Sequence, residues 1–75
     1  MQPKLPFQIC IIIGLRIKGL RIQKGLSQER LASIAGVHRT YIGMIERAEK
    51  NTTLSNLEKI VKALNSNFED LFKNL

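Results

Sequence analysis

The segment from Gln28 to Glu46 constrains the fold of this 75-residue chain more than any other part of the sequence. Its apolar residues recur at helical spacing on both sides of a short break. Ala32 stands where two crossing helices would come closest, so a larger side chain there would wedge them apart. Gly36 follows the last apolar position of the first helix, where a left-handed residue is favoured and a Cβ is unfavourable. The segment therefore predicts two short helices joined by a tight turn.

This pattern, over about residues 27 to 47, is that of a helix-turn-helix, whose second helix lies in the major groove of DNA. The charge of the chain agrees with a polyanionic partner, because twelve Lys and Arg against six Asp and Glu give a net charge of +6. Such a charge can also serve solubility alone. Because it coincides with the motif, we expect double-stranded DNA as the partner.

The remaining apolar stripes predict three further helices, and no segment alternates in the manner of a strand. The first helix is expected from about Gln8 to Lys24, ended by Gly25 and preceded by an extended arm over residues 1–7. Ser27 is expected to cap the second helix, and the third is expected to run from His38 or Arg39 to about residue 47. The sequence thus predicts a single all-α domain over residues 1–75, with five helices in a compact, repressor-like arrangement.

The two helices after the motif suggest how the chain assembles. Thr53 is expected to cap the fourth helix, and Ser66 with Glu69 to open the fifth as a capping box. A domain this small cannot cover every apolar side chain on these helices, so part of their stripe should face a second copy of the chain. The expected residues of this homodimer interface are Leu64, Phe68, Leu71 and Phe72.

Several classes of function have no residues to support them. Cys10 is the only cysteine, so neither a disulfide within the chain nor a cysteine cluster for zinc can form. The apolar run Ile9–Ile13 is far shorter than the roughly 20 residues that a membrane-spanning helix needs. Nucleophile–histidine pairs and glycine-rich phosphate loops are missing. We therefore expect no enzyme activity, metal, cofactor, small-molecule substrate or membrane association, and a cytoplasmic location with the nucleoid.

Six short patterns stand in register along the chain. They are Gly14-x-Arg16-Ile17-x-x-Leu20-Arg21, Lys24-Gly25-Leu26-Ser27-Gln28-Glu29-x-Leu31-Ala32, Ala35-Gly36-Val37, Tyr41-Ile42-x-x-Ile45-Glu46-Arg47, Leu54-x-x-Leu57-x-x-Ile60-x-x-Ala63-Leu64 and Asp70-Leu71-Phe72. With them the chain resembles the phage repressor and Cro family of helix-turn-helix regulators over about residues 13–72, nearly its whole length. Residues 39–42 and 45–47 are most similar to the controller proteins of restriction-modification systems.

The resemblance implies a small transcriptional regulator that binds a pseudo-palindromic operator as a dimer. In restriction-modification systems, a controller protein of this kind times the expression of the endonuclease. A phage- or plasmid-type repressor would use the same fold. An antitoxin or another protein-interaction module is the alternative from a different class, in which the helix-turn-helix face would contact protein. The intact arginine-bearing face favours DNA.

A group of residues in and beside the motif is expected to contact DNA. Arg39 can bind the O6 and N7 atoms of guanine, and Thr40 offers a methyl group to thymine, since the start of the recognition helix reaches base edges. Tyr41 can bond a phosphate or pack half into the core, and both interpretations stay open. Phosphate contacts are expected from the start of the second helix and from the loop after the third. The full set is Gln28, His38, Arg39, Thr40, Tyr41, Gly43, Met44, Arg47, Lys50 and Asn51.

The resemblance also implies structural roles. Arg21 and Glu46 match two family positions that pair between the first and third helices, and the alternative is two unrelated surface charges. If buried, such a pair would set helix orientation more than stability. Departures from the family occur at Ala48, where glycine is frequent, and at Thr52, where proline is frequent. The third helix therefore either ends elsewhere or tolerates a non-glycine residue at its end. The expected structural residues are Arg21, Ala32, Gly36 and Glu46.

Overall fold

A computed structural model describes residues 5–75, and its regular elements in that range are all helices. They are α1 (Phe7–Gln23), α2 (Gln28–Ala35), α3 (Arg39–Glu46), α4 (Leu54–Ala63) and α5 (Phe68–Phe72). The predicted all-α, five-helix architecture is confirmed. The predicted arm over residues 1–7 is too long, because Pro6 already occupies the N-cap and Phe7 lies in α1. Residues 1–4 of that arm lie outside the described residues.

The apolar faces of the helices meet in one core. Helix α2 packs on α3 and α4, while α1 packs on α3 and α5. The largest fully buried side chains are Ile13, Ile17, Leu31, Ile42, Leu57, Ile60, Leu64 and Leu71. Leu64 and Leu71 are 0% exposed, so they leave no surface for a second chain, and the prediction that they form the dimer interface is wrong. Phe68 and Phe72 are only half-buried, with their rings stacked at a centroid separation of 5.7 Å.

Side-chain caps begin four of the helices. Ser27, His38 and Thr53 each accept a backbone N–H from the first turn that follows, at 2.9, 3.1 and 3.2 Å. The fifth helix begins differently from the prediction, since Asn67, and not Ser66, accepts the first-turn N–H at 2.8 Å. The left-handed Asn65, with φ 54°, ends the turn after α4, and the extended backbone of the N-cap lies at Asn67.

The first four helices end in the same backbone motif. One left-handed residue follows each helix, and the N–H after it bonds a carbonyl five residues earlier, at 2.8–3.0 Å. The left-handed residues are Gly25, Gly36, Ala48 and Asn65, with φ of 70°, 75°, 56° and 54°. The glycine ends predicted for α1 and α2 are confirmed, and α3 ends on a non-glycine residue in the same conformation.

Replacing Ala48 by Gly should raise the free energy of unfolding by about 0.5–1 kcal/mol. The left-handed conformation costs a residue with a Cβ about 1–2 kcal/mol, and the greater freedom of unfolded glycine offsets part of the gain. Gly36→Ala is the matched control and should lower stability, because a Cβ there meets no atom within 4 Å and only backbone strain acts. Urea unfolding of both variants measures the two effects, and a destabilised Ala48→Gly would contradict the argument.

Candidate nucleic-acid interface

The two helices of the motif form a shallow groove of about 610 Å³ where the start of α3 meets the start of α2. Helix α3 and its C-cap contribute one face to it, since positions 39, 43 and 47 are four residues apart. The groove is lined by Arg21, Ser27, Gln28, Glu29, Arg39, Thr40, Gly43 and Arg47. Five of the residues expected to contact DNA, Gln28, Arg39, Thr40, Gly43 and Arg47, are thus brought together.

Each of the two exposed arginines of the groove donates hydrogen bonds to a glutamate. Arg39 donates from Nη1 to Oε2 of Glu29 at 3.1 Å, in a pair that is largely in solvent. Arg47 donates from Nε and Nη2 to the two carboxylate oxygens of Glu49, at 2.9 and 3.1 Å. These hydrogen bonds raise the pKa of Arg47 and lower the pKa of Glu49. The sequence analysis did not include Glu29 and Glu49 in the site, although the negative charge of one inside the motif and of the other just after it was a visible signal.

Gly43 makes room at the middle of the groove. A Cβ at this position would lie 3.0 Å from Nη1 of Arg47 and 3.4 Å from Oε1 of Gln28. The missing side chain therefore lets both neighbouring side chains lie across α3. The prediction that Gly43 contacts DNA stays a prediction.

A buried ion pair lies beneath the groove. Arg21 donates from Nε and Nη2 to the carboxylate of Glu46 at 2.6 and 3.1 Å, and this pairing raises the pKa of Arg21. The Glu46 side chain is only 2% exposed. Gln28 donates to the same carboxylate at 3.0 Å, and Arg21 also donates to the carbonyl of Leu26 at 2.8 Å. The pair implied by the resemblance is present, and it joins α1, α2 and α3.

Tyr41 faces away from the groove and anchors α3 to the next helix. Its hydroxyl lies 2.5 Å from Oγ1 of Thr52 and accepts a hydrogen bond from Nδ2 of Asn56 at 2.9 Å. These contacts favour the packing interpretation of Tyr41. Thr52 stands where the family often has proline, which has no hydroxyl to offer. The sequence contained no signal for this network, because its members are 11 and 15 residues apart from Tyr41.

Four other predicted DNA contacts do not line the groove. Asn51 uses its amide on the backbone of Leu5, accepting from its N–H at 3.1 Å and donating to its carbonyl at 2.8 Å. Lys50 is exposed, with Nζ 5.9 Å from the centre of the Tyr41 ring. His38 is an exposed cap, and Met44 is half-buried. The structure therefore separates these four residues from the groove.

Two further observations bear on the class of protein. No described helix is both long enough and apolar enough to span a bilayer. Among residues 5–75, no three His, Cys, Asp or Glu side chains come together in a way that could hold a metal ion.

Comparison with known proteins gives consistent matches. A family model described as helix-turn-helix matches residues 17–71. The chain is 48% identical over 60 residues to control protein C.SmaI of Serratia marcescens, covering 80% of this chain and 71% of that protein. It is 44% identical over 64 residues to control protein C.BamHI of Bacillus amyloliquefaciens, covering 84% and 79%. The crystal structure of the restriction-modification controller protein C.AhdI from Aeromonas hydrophila superposes with a TM-score of 0.82 at 41% identity, covering 84% of this chain and 96% of that one.

Proposed function

The chain belongs to the helix-turn-helix family of DNA-binding transcriptional regulators, and from this we propose that it is a restriction-modification controller that binds a pseudo-palindromic operator as a homodimer. The observation that carries the proposal is the groove between α2 and α3, where two exposed arginines, an exposed threonine and a helix N-terminus share one face. The similarity to named control proteins supports the narrower role.

The contacts with DNA divide into base contacts and phosphate contacts. Arg39 and Thr40 are exposed at the first turn of α3, the part of a recognition helix that reaches base edges. Arg47 and Lys50 are exposed cations farther along the chain, at and beyond the end of α3, and suit the phosphate backbone. Gln28 opens α2, so its backbone N–H lies at a helix N-terminus, which favours a phosphate.

The dimer would use the end of the chain. Phe68 and Phe72 pack against the core while remaining half-exposed, so they have surface left for a second copy. To contact two successive half-sites, the two recognition helices of the dimer would lie about 34 Å apart, the length of one turn of B-DNA. The operator would then contain two related half-sites, and binding it would place the protein with the nucleoid in a bacterial cytoplasm.

Arg39→Ala should weaken binding to the operator by about 1–3 kcal/mol per half-site and change binding to scrambled DNA little, because a bidentate base contact carries sequence information. Lys50→Ala should weaken binding to both duplexes alike, because one phosphate contact is lost. The salt slope, which is the slope of the logarithm of the binding constant against the logarithm of the salt concentration, should become shallower by about 0.9. The measurement is a salt titration of both variants on operator and scrambled duplexes, with the operator taken from a footprint upstream of the protein's own reading frame.

A separate titration at a duplex concentration well above Kd gives the number of chains per duplex, for which we expect two. Circular dichroism checks that each variant is folded. An equal loss for Arg39→Ala on both duplexes would make Arg39 a phosphate contact. If neither variant altered binding, the groove would not be the DNA interface, and the protein-interaction alternative would take its place. Genes for a DNA methyltransferase and an endonuclease beside this one are the test of the controller role.

A further inference from the structure

At the edge of the proposed DNA interface, the carboxylate of Glu49 accepts two hydrogen bonds from the guanidinium of Arg47. We propose that Glu49 competes with DNA phosphates for the guanidinium of Arg47, and so limits the affinity of this protein for DNA of any sequence. The inference rests on the proposed function, because it concerns how the same surface binds phosphate. Neither the family match nor the resemblance assigns a role to Glu49.

The backbone directs Glu49 onto Arg47. Ala48 is left-handed, and the N–H of Glu49 bonds the carbonyl of Met44 at 2.8 Å, which holds Glu49 against the end of α3. From there its carboxylate receives two hydrogen bonds from Arg47, at 2.9 and 3.1 Å. The partner is thus held by the same turn that ends the helix.

The position of Arg47 makes this pairing relevant to DNA. Its third nitrogen, Nη1, lies beside Gly43, 3.0 Å from where a Cβ would stand, so the guanidinium lies along the groove face of α3. Arginine binds carboxylate and phosphate with the same two-pronged geometry. Glu49 therefore takes Nε and Nη2, one of the two pairs of donors with which the guanidinium can bind a phosphate.

The pair contributes little to the fold. Both side chains are about half exposed, at 54% and 53%, and ion pairs of this kind add little to stability. The pair can therefore open without cost to the core. A DNA phosphate must break the two hydrogen bonds from Arg47 to Glu49 before it can take their place. This cost depends on phosphate and not on base, so it acts on every sequence.

Glu49→Gln tests the inference, because it removes the charge and keeps the backbone hydrogen bond. We expect its affinity to rise about three- to tenfold on operator and scrambled duplexes alike, with a salt slope steeper by about 0.9, as for one added phosphate contact. Glu58→Gln is the matched control, since it removes the same charge from an exposed pair with Lys62 on α4, away from the groove. Its salt slope should match that of the wild type.

Arg47→Gln shows whether Glu49 acts through Arg47. In that background Glu49→Gln should raise affinity less than twofold, because the contested guanidinium is gone. A full gain without Arg47 would mean general charge repulsion and would overturn the inference. A loss of affinity in Glu49→Gln alone would mean that Glu49 positions Arg47 for DNA, which also overturns it. An unchanged Glu49→Gln overturns the inference and leaves the proposed function standing, whereas a wild type that binds no DNA overturns both.

Discussion

Arg21→Met should lower the free energy of unfolding by about 3–5 kcal/mol, because it leaves the buried carboxylate of Glu46 without its cation. Glu46 is 2% exposed, so water cannot replace the two hydrogen bonds that it loses. The remaining donor, the amide of Gln28 at 3.0 Å, is neutral and cannot balance a buried charge. The carbonyl of Leu26 also loses its side-chain donor. Urea unfolding followed by circular dichroism measures the change.

The matched control removes both charges. Arg21→Met combined with Glu46→Leu should recover most of the lost stability, because no buried charge is left unpaired. If the double variant is near wild-type stability and binds operator poorly, the pair sets the orientation of α1 and α3 more than it holds the domain together. A loss below 1 kcal/mol in the single variant would show that Glu46 finds water or another partner.

Gly14→Ala should destabilise the protein by about 3 kcal/mol, at the upper end of the range for overpacking. Gly14 lies in α1 where that helix crosses the end of α3. A Cβ there would stand 2.9 Å from the carbonyl oxygen of Glu46 and closer still to that of Ile45. Both obstacles are backbone atoms of a helix, so they cannot turn aside as a side chain would. The two helices would have to separate.

Gly19→Ala is the control within the same helix. A Cβ at Gly19 meets no atom within 4 Å, so only helix propensity acts and stability should rise by up to about 1 kcal/mol. Thermal unfolding of the two variants should therefore show shifts of opposite sign. Equal gains would mean that α1 and α3 can move apart freely at their crossing.

Signals that lie within a few residues of each other were predicted well. Ser27 and Thr53 are polar residues directly before apolar stripes, and Gly25 and Gly36 follow such stripes, so helix boundaries could be assigned locally. The start of α5 was assigned one residue too early. The misassignment arose because Asn67 and Asp70 repeat the spacing of Ser66 and Glu69 one residue later, and asparagine caps helices as well as serine does.

Features that depend on distant neighbours could not be predicted from local patterns. The need for glycine at position 14 could not be read from its neighbours in sequence, because the carbonyls that exclude a side chain there belong to α3. Tyr41 had two interpretations until its partners, in the loop and in α4, were known. The apolar stripe over α4 and α5 likewise did not reveal that Leu64 and Leu71 are core while the two phenylalanines keep exposed surface.

The shared ending of the first four helices has a consequence for the speed of folding. Each ending is closed by backbone hydrogen bonds between residues at most five apart, so four helix boundaries can form without waiting for distant parts of the chain. Helical domains dominated by such near neighbours fold in about microseconds to milliseconds. The slow step should then be the meeting of α1 with α3, where Arg21 and Glu46 must pair. The double variant Arg21→Met with Glu46→Leu should therefore fold faster than the wild type, which temperature-jump relaxation measures.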